Sequence, residues 1–124
     1  MEKILGLALG GALGTLSRYG LTELVQAIIG SRFPLGTMVV NILGCLLFGI
    51  IVGILEQGQL LAGQLRVILL TGFLGAFTTF STFIYETSAL LRQEQWLLTA
   101  ANLAGQTILG LFCVFAGLAL VRMF

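Results

Sequence analysis

The sequence predicts an all-α integral membrane protein with four transmembrane helices, the third of them broken. Of its 124 residues, 58% are hydrophobic and only 9% are charged, and the mean hydropathy is +1.09. A soluble domain of this size does not have such a composition. The charged residues separate four apolar stretches, each long enough to cross the hydrocarbon core as a helix of about 20 residues. We therefore assign residues 1–124 to a single transmembrane domain.

The four helices are predicted at about residues 3–29, 33–55, 65–92 and 95–123. The first contains Arg18 and Glu23 in its second half, whereas the other three contain uncharged runs of 23, 19 and 27 residues. Pro34 fits the start of the second helix, where its missing N–H costs little. Trp96 suits the membrane interface at the start of the fourth helix. The connections, at residues 31–34, 57–64 and 92–96, are too short to form another domain.

The charges give almost no preference for one orientation in the membrane. With a cytoplasmic N-terminus, three basic residues lie inside (Lys3, Arg66, Arg122) and two or three lie outside (Arg32, Arg92 and, by its position, Arg18). An excess of Lys and Arg on the cytoplasmic side normally sets topology. We expect insertion both ways, and pairing of opposite copies into an antiparallel homodimer about an axis in the membrane plane. The alternative is that the small bias fixes one orientation.

Residues 72–86 of the third helix are the most unusual segment. Four Ser or Thr residues, two glycines, four phenylalanines and Glu86 lie in an otherwise apolar span. Glycine and hydroxyl residues weaken a helix, so we predict a break near residues 75–78. Backbone carbonyls at such a break suit a hard cation, and the N-terminus of the resumed helix suits an anion. The alternative is that Gly72 and Gly75 only allow helices to cross closely.

After the break, polar and aromatic residues share one helical face. Thr79, Thr82, Phe83 and Glu86 recur at helical spacing, with Phe80 beside them. Hydroxyls can donate hydrogen bonds to an anion, and the edge of a phenyl ring carries positive charge density. The pattern fits a narrow, mostly uncharged anion path. It equally fits core packing by the rings, with the hydroxyls bonded back to their own helix.

Three further features bear on this segment. Asn41 in the second helix carries amide donors, and in lipid it needs a partner or water. Small and polar residues form one stripe on the fourth helix, which lines the path or packs against another helix: Thr99, Asn102, Gln106, Gly110, Cys113 and Gly117. The first helix repeats glycine at positions 6, 10 and 14, a packing signature, and Arg18 follows on that face. Arg18 would concentrate anions at the mouth of a path or simply snorkel to the interface.

Enzymatic function classes find no support in this composition. The chain has no His, and its few acidic residues are far apart, which argues against a zinc-type site and against a nucleophile–base pair. A net charge of +1 indicates no nucleic-acid partner. Cys45 and Cys113 lie in apolar stretches and are interpreted as packing residues.

The sequence resembles the Fluc (CrcB) family of fluoride channels over essentially its whole length. The resemblance is carried by residues 10–14 (GGALG) with Arg18 and Tyr19, and by Gly36-Thr37 with Val40-Asn41 and Gly44. It is carried above all by residues 72–75 (GFLG) through 79–83 (TFSTF). The last motif is highly specific in a four-span chain of this length.

This resemblance implies an antiparallel homodimer with two parallel pores that passively exports fluoride across the inner membrane. It implies a structural sodium ion on the dimer axis, held by the backbone carbonyls of Gly75 and Thr78. The pore residues would be Asn41, Phe80, Ser81, Thr82 and Phe83. Arg18 and Glu86 would lie toward the vestibules. Many relatives carry hydroxyl residues along a polar track on the fourth helix, whereas this chain offers Asn102, Gln106 and Thr107. Thr79 is a further candidate for this track.

Two other functions remain open from the residues. A small dual-topology exporter of cationic drugs has the same length and span count, but it needs an intramembrane carboxylate. Only Glu23 and Glu86 qualify, and both lie toward span ends. Transport that depends on a pH gradient would favour the exporter. A structural subunit would show no transport by the isolated protein.

Overall fold

The computed structural model describes residues 1–57 and 63–123, and four of its helical segments are long and apolar enough to cross a membrane. We number the helices α1 (Glu2–Ile29), α2 (Leu35–Glu56), α3 (residues 64–77), α4 (Phe80–Arg92) and α5 (Trp96–Arg122). Together α3 and α4 make the third span, Gln64–Arg92. The all-α architecture with four apolar spans is thus confirmed. Much of the predicted connection at residues 57–64 lies outside the described residues.

Local backbone chemistry sets the helix ends. Gly30, in the left-handed conformation at φ 58°, ends α1 and donates its N–H to the Gln26 carbonyl. The second helix begins at Leu35 and not at residue 33, because a residue that precedes proline is disfavoured in the helical region. The fourth span begins at Trp96, after Glu94 turns the chain at φ 57°.

The third span breaks later than the glycines suggested. Gly72 and Gly75 are helical, and the extended residues are Thr78 (ψ 157°) and Thr79 (ψ 116°). Residues Ile68–Leu74 form a π-helix that leads into this break. Gly72 instead serves close packing, because a Cβ there would lie 3.3 Å from the Leu7 carbonyl oxygen. The break therefore lies at the Thr pair itself, which is at the centre of the 29-residue span.

Glycines also set the distances between the helices. A Cβ at Gly14 would overlap the Phe73 carbonyl, so α1 lies directly against α3 as its glycine repeat predicts. In the same way, Gly49 of α2 lies against the Val114 carbonyl, and Gly117 of α5 lies against the Leu46 carbonyl. Contacts between α2 and α5 advance in the same direction along both helices, from Met38 beside Gly105 to Gly53 beside Val121, so the two helices run parallel and side by side. A small core of Val40, Leu74 and Phe77 fills the space between α2 and α3.

Candidate functional site

The break in the third span is closed by one amide side chain. The Thr79 N–H donates to Asn41 Oδ1 at 2.9 Å, and Asn41 Nδ2 donates to the Thr79 carbonyl at 3.1 Å. Backbone polar groups that leave a helix inside a membrane must find partners in the protein. Asn41 supplies both partners at Thr79, so the side chain predicted to need a partner is the one that stabilises the break.

A cluster of hydroxyls lies at the N-terminus of α4. Thr79 caps this helix, and its Oγ1 accepts the Thr82 N–H at 3.3 Å. The same oxygen donates to Thr82 Oγ1 at 3.0 Å and lies 3.4 Å from Ser81 Oγ. The helix α4 has 13 residues and begins near the centre of the span, so the positive end of its dipole lies at mid-span. Ser81 and Thr82 are both exposed on the single chain.

The break leaves the four carbonyls of residues 75–78 without their helical donors, those of Gly75 and Thr78 among them. In an unbroken helix, the Thr79 N–H would donate to the Gly75 carbonyl and the Thr82 N–H to the Thr78 carbonyl. Both N–H groups donate to side-chain oxygens instead. Carbonyl oxygens are the ligands that hard cations take. No cluster of three His, Cys, Asp or Glu groups exists within residues 1–57 and 63–123.

The two predicted pore phenylalanines form a tilted pair at the start of α4. The ring centroids of Phe80 and Phe83 are 5.8 Å apart, and the ring planes meet at 59°. Phe83 is 7% exposed, whereas Phe80 is 75% exposed and points away from the chain's own core. In contrast, Phe73 and Phe77 stack nearly parallel at 5.8 Å within α3. The phenylalanines thus form two pairs. The pair before the break packs within the protein, whereas the pair after it has one buried ring and one exposed ring.

A cavity of about 390 Å³ adjoins the break, between α2, the third span and α5. Its walls include Asn41, Thr79, Phe80, Phe83 and Gln106. Thr107 also faces it, although its hydroxyl bonds back to the Leu103 carbonyl. Three of the five predicted pore residues and three of the four predicted track residues therefore meet at one cavity. Ser81 and Thr82 do not line it.

A second cavity, of about 330 Å³, lies beside the first half of α2 and brings together the two residues predicted for the vestibules, Arg18 and Glu86. Thr82 and Thr37 also line it. The Thr37 hydroxyl donates to Glu86 Oε1 at 2.7 Å, while Oε2 is buried and has no partner among the described residues. Thr37 received no role from the sequence, where its place beside Gly36 was the only signal.

Buried amides connect this region to α5. Asn41 Nδ2 donates to Gln106 Oε1 at 2.7 Å, Gln106 Nε2 donates to Asn102 Oδ1 at 2.9 Å, and Asn102 Nδ2 donates to Thr87 Oγ1 at 2.8 Å. The predicted stripe on the fourth span thus faces the protein interior. Thr99, at the end of this stripe, donates to the Gln95 carbonyl at the start of its own helix. Thr87 was not singled out in the sequence, because a Thr in a helix gives no sign of an interhelical partner.

Comparisons with known proteins identify the family of this chain. Residues 5–118 match the model of the family described as CrcB-like protein, Camphor Resistance (CrcB). A protein of Nitrosococcus oceani named "Fluoride-specific ion channel FluC" is 57% identical over 116 residues, which cover 94% of this chain and 93% of the relative. A protein of Solidesulfovibrio magneticus with the same name is 54% identical over 123 residues, covering 99% and 98%. One of Nitratidesulfovibrio vulgaris is 52% identical over 123 residues, covering 99% of both. The chain belongs to the CrcB family, whose named relatives are fluoride-specific ion channels.

Proposed function

We propose that this chain forms a fluoride-selective passive channel of the cell inner membrane that lets fluoride leave the cytoplasm. One observation carries the proposal: a helix begins at the centre of a membrane span, with hydroxyls and a phenylalanine pair at its N-terminus and an amide beside it. All of these groups present positive charge density without a full charge. Such an environment favours a small anion.

Selectivity follows from the cost of dehydration. A small halide holds its water tightly, so a pore must replace that water with closely placed donors. Ser81 and Thr82 supply O–H donors, and Phe80 and Phe83 supply ring edges. Asn41, whose two Nδ2 hydrogens are both bonded within the chain, holds the break beside them. A larger halide holds its water less tightly, so it needs fewer donors from the pore but a wider passage. At the mouth of this path, Arg18 attracts anions, and Glu86 and Thr37 lie in the same cavity.

The functional unit in this proposal is an antiparallel homodimer with two pores. The single chain exposes Phe80, Ser81 and Thr82 at the middle of a span, where lipid offers hydroxyls no hydrogen-bond partner. A second copy would cover this face, and the near balance of Lys and Arg permits it to insert upside down. A sodium ion bound by the Gly75 and Thr78 carbonyls would stabilise the break where the copies meet.

Orientation can be measured directly by cysteine labelling. Gln93→Cys, combined with Cys45→Ala and Cys113→Ala, places the only thiol in the exposed turn between the third and fourth spans. An impermeant maleimide added outside intact cells should label about half of the molecules, because opposite copies pair one to one. Labelling of all molecules or of none would contradict the dimer.

The phenylalanine pair is tested by fluoride efflux from liposomes that contain the purified protein. Phe80→Ile should abolish efflux because it removes the aromatic edge at the break. Phe112→Ile is the matched control, since Phe112 is 69% exposed on α5 and adjoins neither cavity. Equal efflux by both variants would remove Phe80 from the path. An imposed pH gradient should leave efflux unchanged, whereas dependence on it would favour an exporter.

A further inference from the structure

The amide chain has a direction and two ends. Donors run from Asn41 to Gln106, then to Asn102 and to Thr87, and the Thr87 hydroxyl donates to the Phe83 carbonyl at 2.7 Å. The first end holds the break at Thr79. The series of bonds ends at Thr87, one turn beyond Phe83 on α4. It therefore begins and ends on the same half of the third span, the half that starts at the break.

Burial makes this chain of bonds costly to disturb. Asn102 is fully buried, and Gln106 and Thr87 are 8% and 7% exposed. A buried amide that loses its hydrogen-bond partners destabilises the folded protein far more than an amide at the surface does. Asn41 also spends both Nδ2 hydrogens, one on Thr79 and one on Gln106, so its rotation is fixed from two sides.

We infer that Gln106, Asn102 and Thr87 are positioning residues for the anion path, an inference that rests on the proposed function. Together they hold the Asn41 amide toward the break and hold α4, with Phe80 and Phe83, at a fixed distance from α5. Of the three, only Gln106 faces the cavity of about 390 Å³, so Asn102 and Thr87 act through other residues. Asn41, with both Nδ2 hydrogens bonded, thus has a structural role that leaves its donors unavailable to a passing ion.

The test compares two buried threonines. Thr87 and Thr99 are each 7% exposed, and each hydroxyl donates to the carbonyl four residues earlier, but only Thr87 also accepts from Asn102. Thr87→Val should lower fluoride efflux about tenfold, since it leaves the Asn102 donor unpartnered. Thr99→Val should leave efflux unchanged. Thr87→Ser should restore it, because the serine hydroxyl keeps both bonds. Equal efflux by Thr87→Val and Thr99→Val would overturn the inference, as would failure of Thr87→Ser to restore efflux.

Two further measurements keep this inference separate from the proposed function. Asn102→Leu combined with Thr87→Val should lose no more efflux than Asn102→Leu alone, because both substitutions break the same series of hydrogen bonds. Losses that multiply in the double variant would contradict the inference. Hydrogen exchange of the purified protein needs no transport at all. Thr87→Val should speed exchange at residues 79–83, and Thr99→Val should not. If the unaltered protein carries no fluoride, the proposed function fails, and the exchange result still decides whether this chain of bonds holds the break.

Discussion

Asn41→Asp tests the closure of the break with almost no change of shape. The carboxylate keeps the acceptor that the Thr79 N–H uses, but it replaces the NH2 group by an oxygen. That oxygen would face the Thr79 carbonyl at 3.1 Å and Gln106 Oε1 at 2.7 Å, so two attractive contacts become repulsive. Gln106 can turn its amide to meet the new carboxylate, but it then gives up its bond to Asn102.

Two hydrogen bonds of this partly buried network are therefore lost in either arrangement. At about 1–3 kcal/mol for each unsatisfied group, the free energy of unfolding should fall by about 2–6 kcal/mol. Fluoride efflux should also be lost, because a fixed negative charge then lies beside the path. Gln57→Glu is the matched control: Gln57 Nε2 donates to the Val121 carbonyl at 3.0 Å, but at an exposed site.

The assay is equilibrium unfolding in mixed micelles, followed by the fluorescence of Trp96, the chain's single tryptophan. Gln57→Glu should change the free energy of unfolding by less than about 0.5 kcal/mol, as surface substitutions do. An equally small change for Asn41→Asp would refute the claim that this side chain closes the break. Unreduced efflux in that variant would separately remove Asn41 from the anion path.

Two other substitutions follow from the same contacts. Gly49→Ala should destabilise the protein by about 1–3 kcal/mol, because its Cβ overlaps the Val114 carbonyl, whereas Gly20→Ala should be neutral or stabilising, because nothing lies within 4 Å of its Cβ. Equal effects in the Trp96 unfolding assay would contradict the close α2–α5 contact. Thr37→Val should cost about 1–3 kcal/mol by leaving both Glu86 oxygens unpartnered, and Ser88→Ala, which removes only a bond to Tyr85 on the same helix, should cost less. A larger loss for Ser88→Ala would contradict the role assigned to Thr37.

Hydropathy and charge were enough to predict the four spans. Long uncharged runs cannot remain in water, and short polar connections fix where each span ends. The position of the break was less accessible. Glycine's weak helix propensity pointed to residues 75–78, but Gly72 is needed for packing against Leu7, and the extended residues are Thr78 and Thr79. Threonine leaves the helix here because Asn41, 38 residues earlier, offers its backbone replacement partners.

The candidate site shows the same division between local pattern and tertiary contact. Polar side chains in an apolar span are visible in any sequence, so Asn41, Asn102 and Gln106 could be identified as functional or interhelical. Which of them meet depends on the register of α2 against α5, which is set where Gly49 and Gly117 lie against backbone carbonyls. Thr37 and Thr87 acquire their roles only through the contacts of α4 with α2 and with α5, and no periodicity in the sequence marks them.

The most direct measurement compares fluoride and chloride efflux from liposomes that contain the purified, unaltered protein, each recorded with an ion-selective electrode. If the donors around the break replace the water of a small halide, as we propose, fluoride should leave rapidly while chloride stays behind. Chloride efflux as fast as that of fluoride would contradict the account, and so would no efflux of either ion.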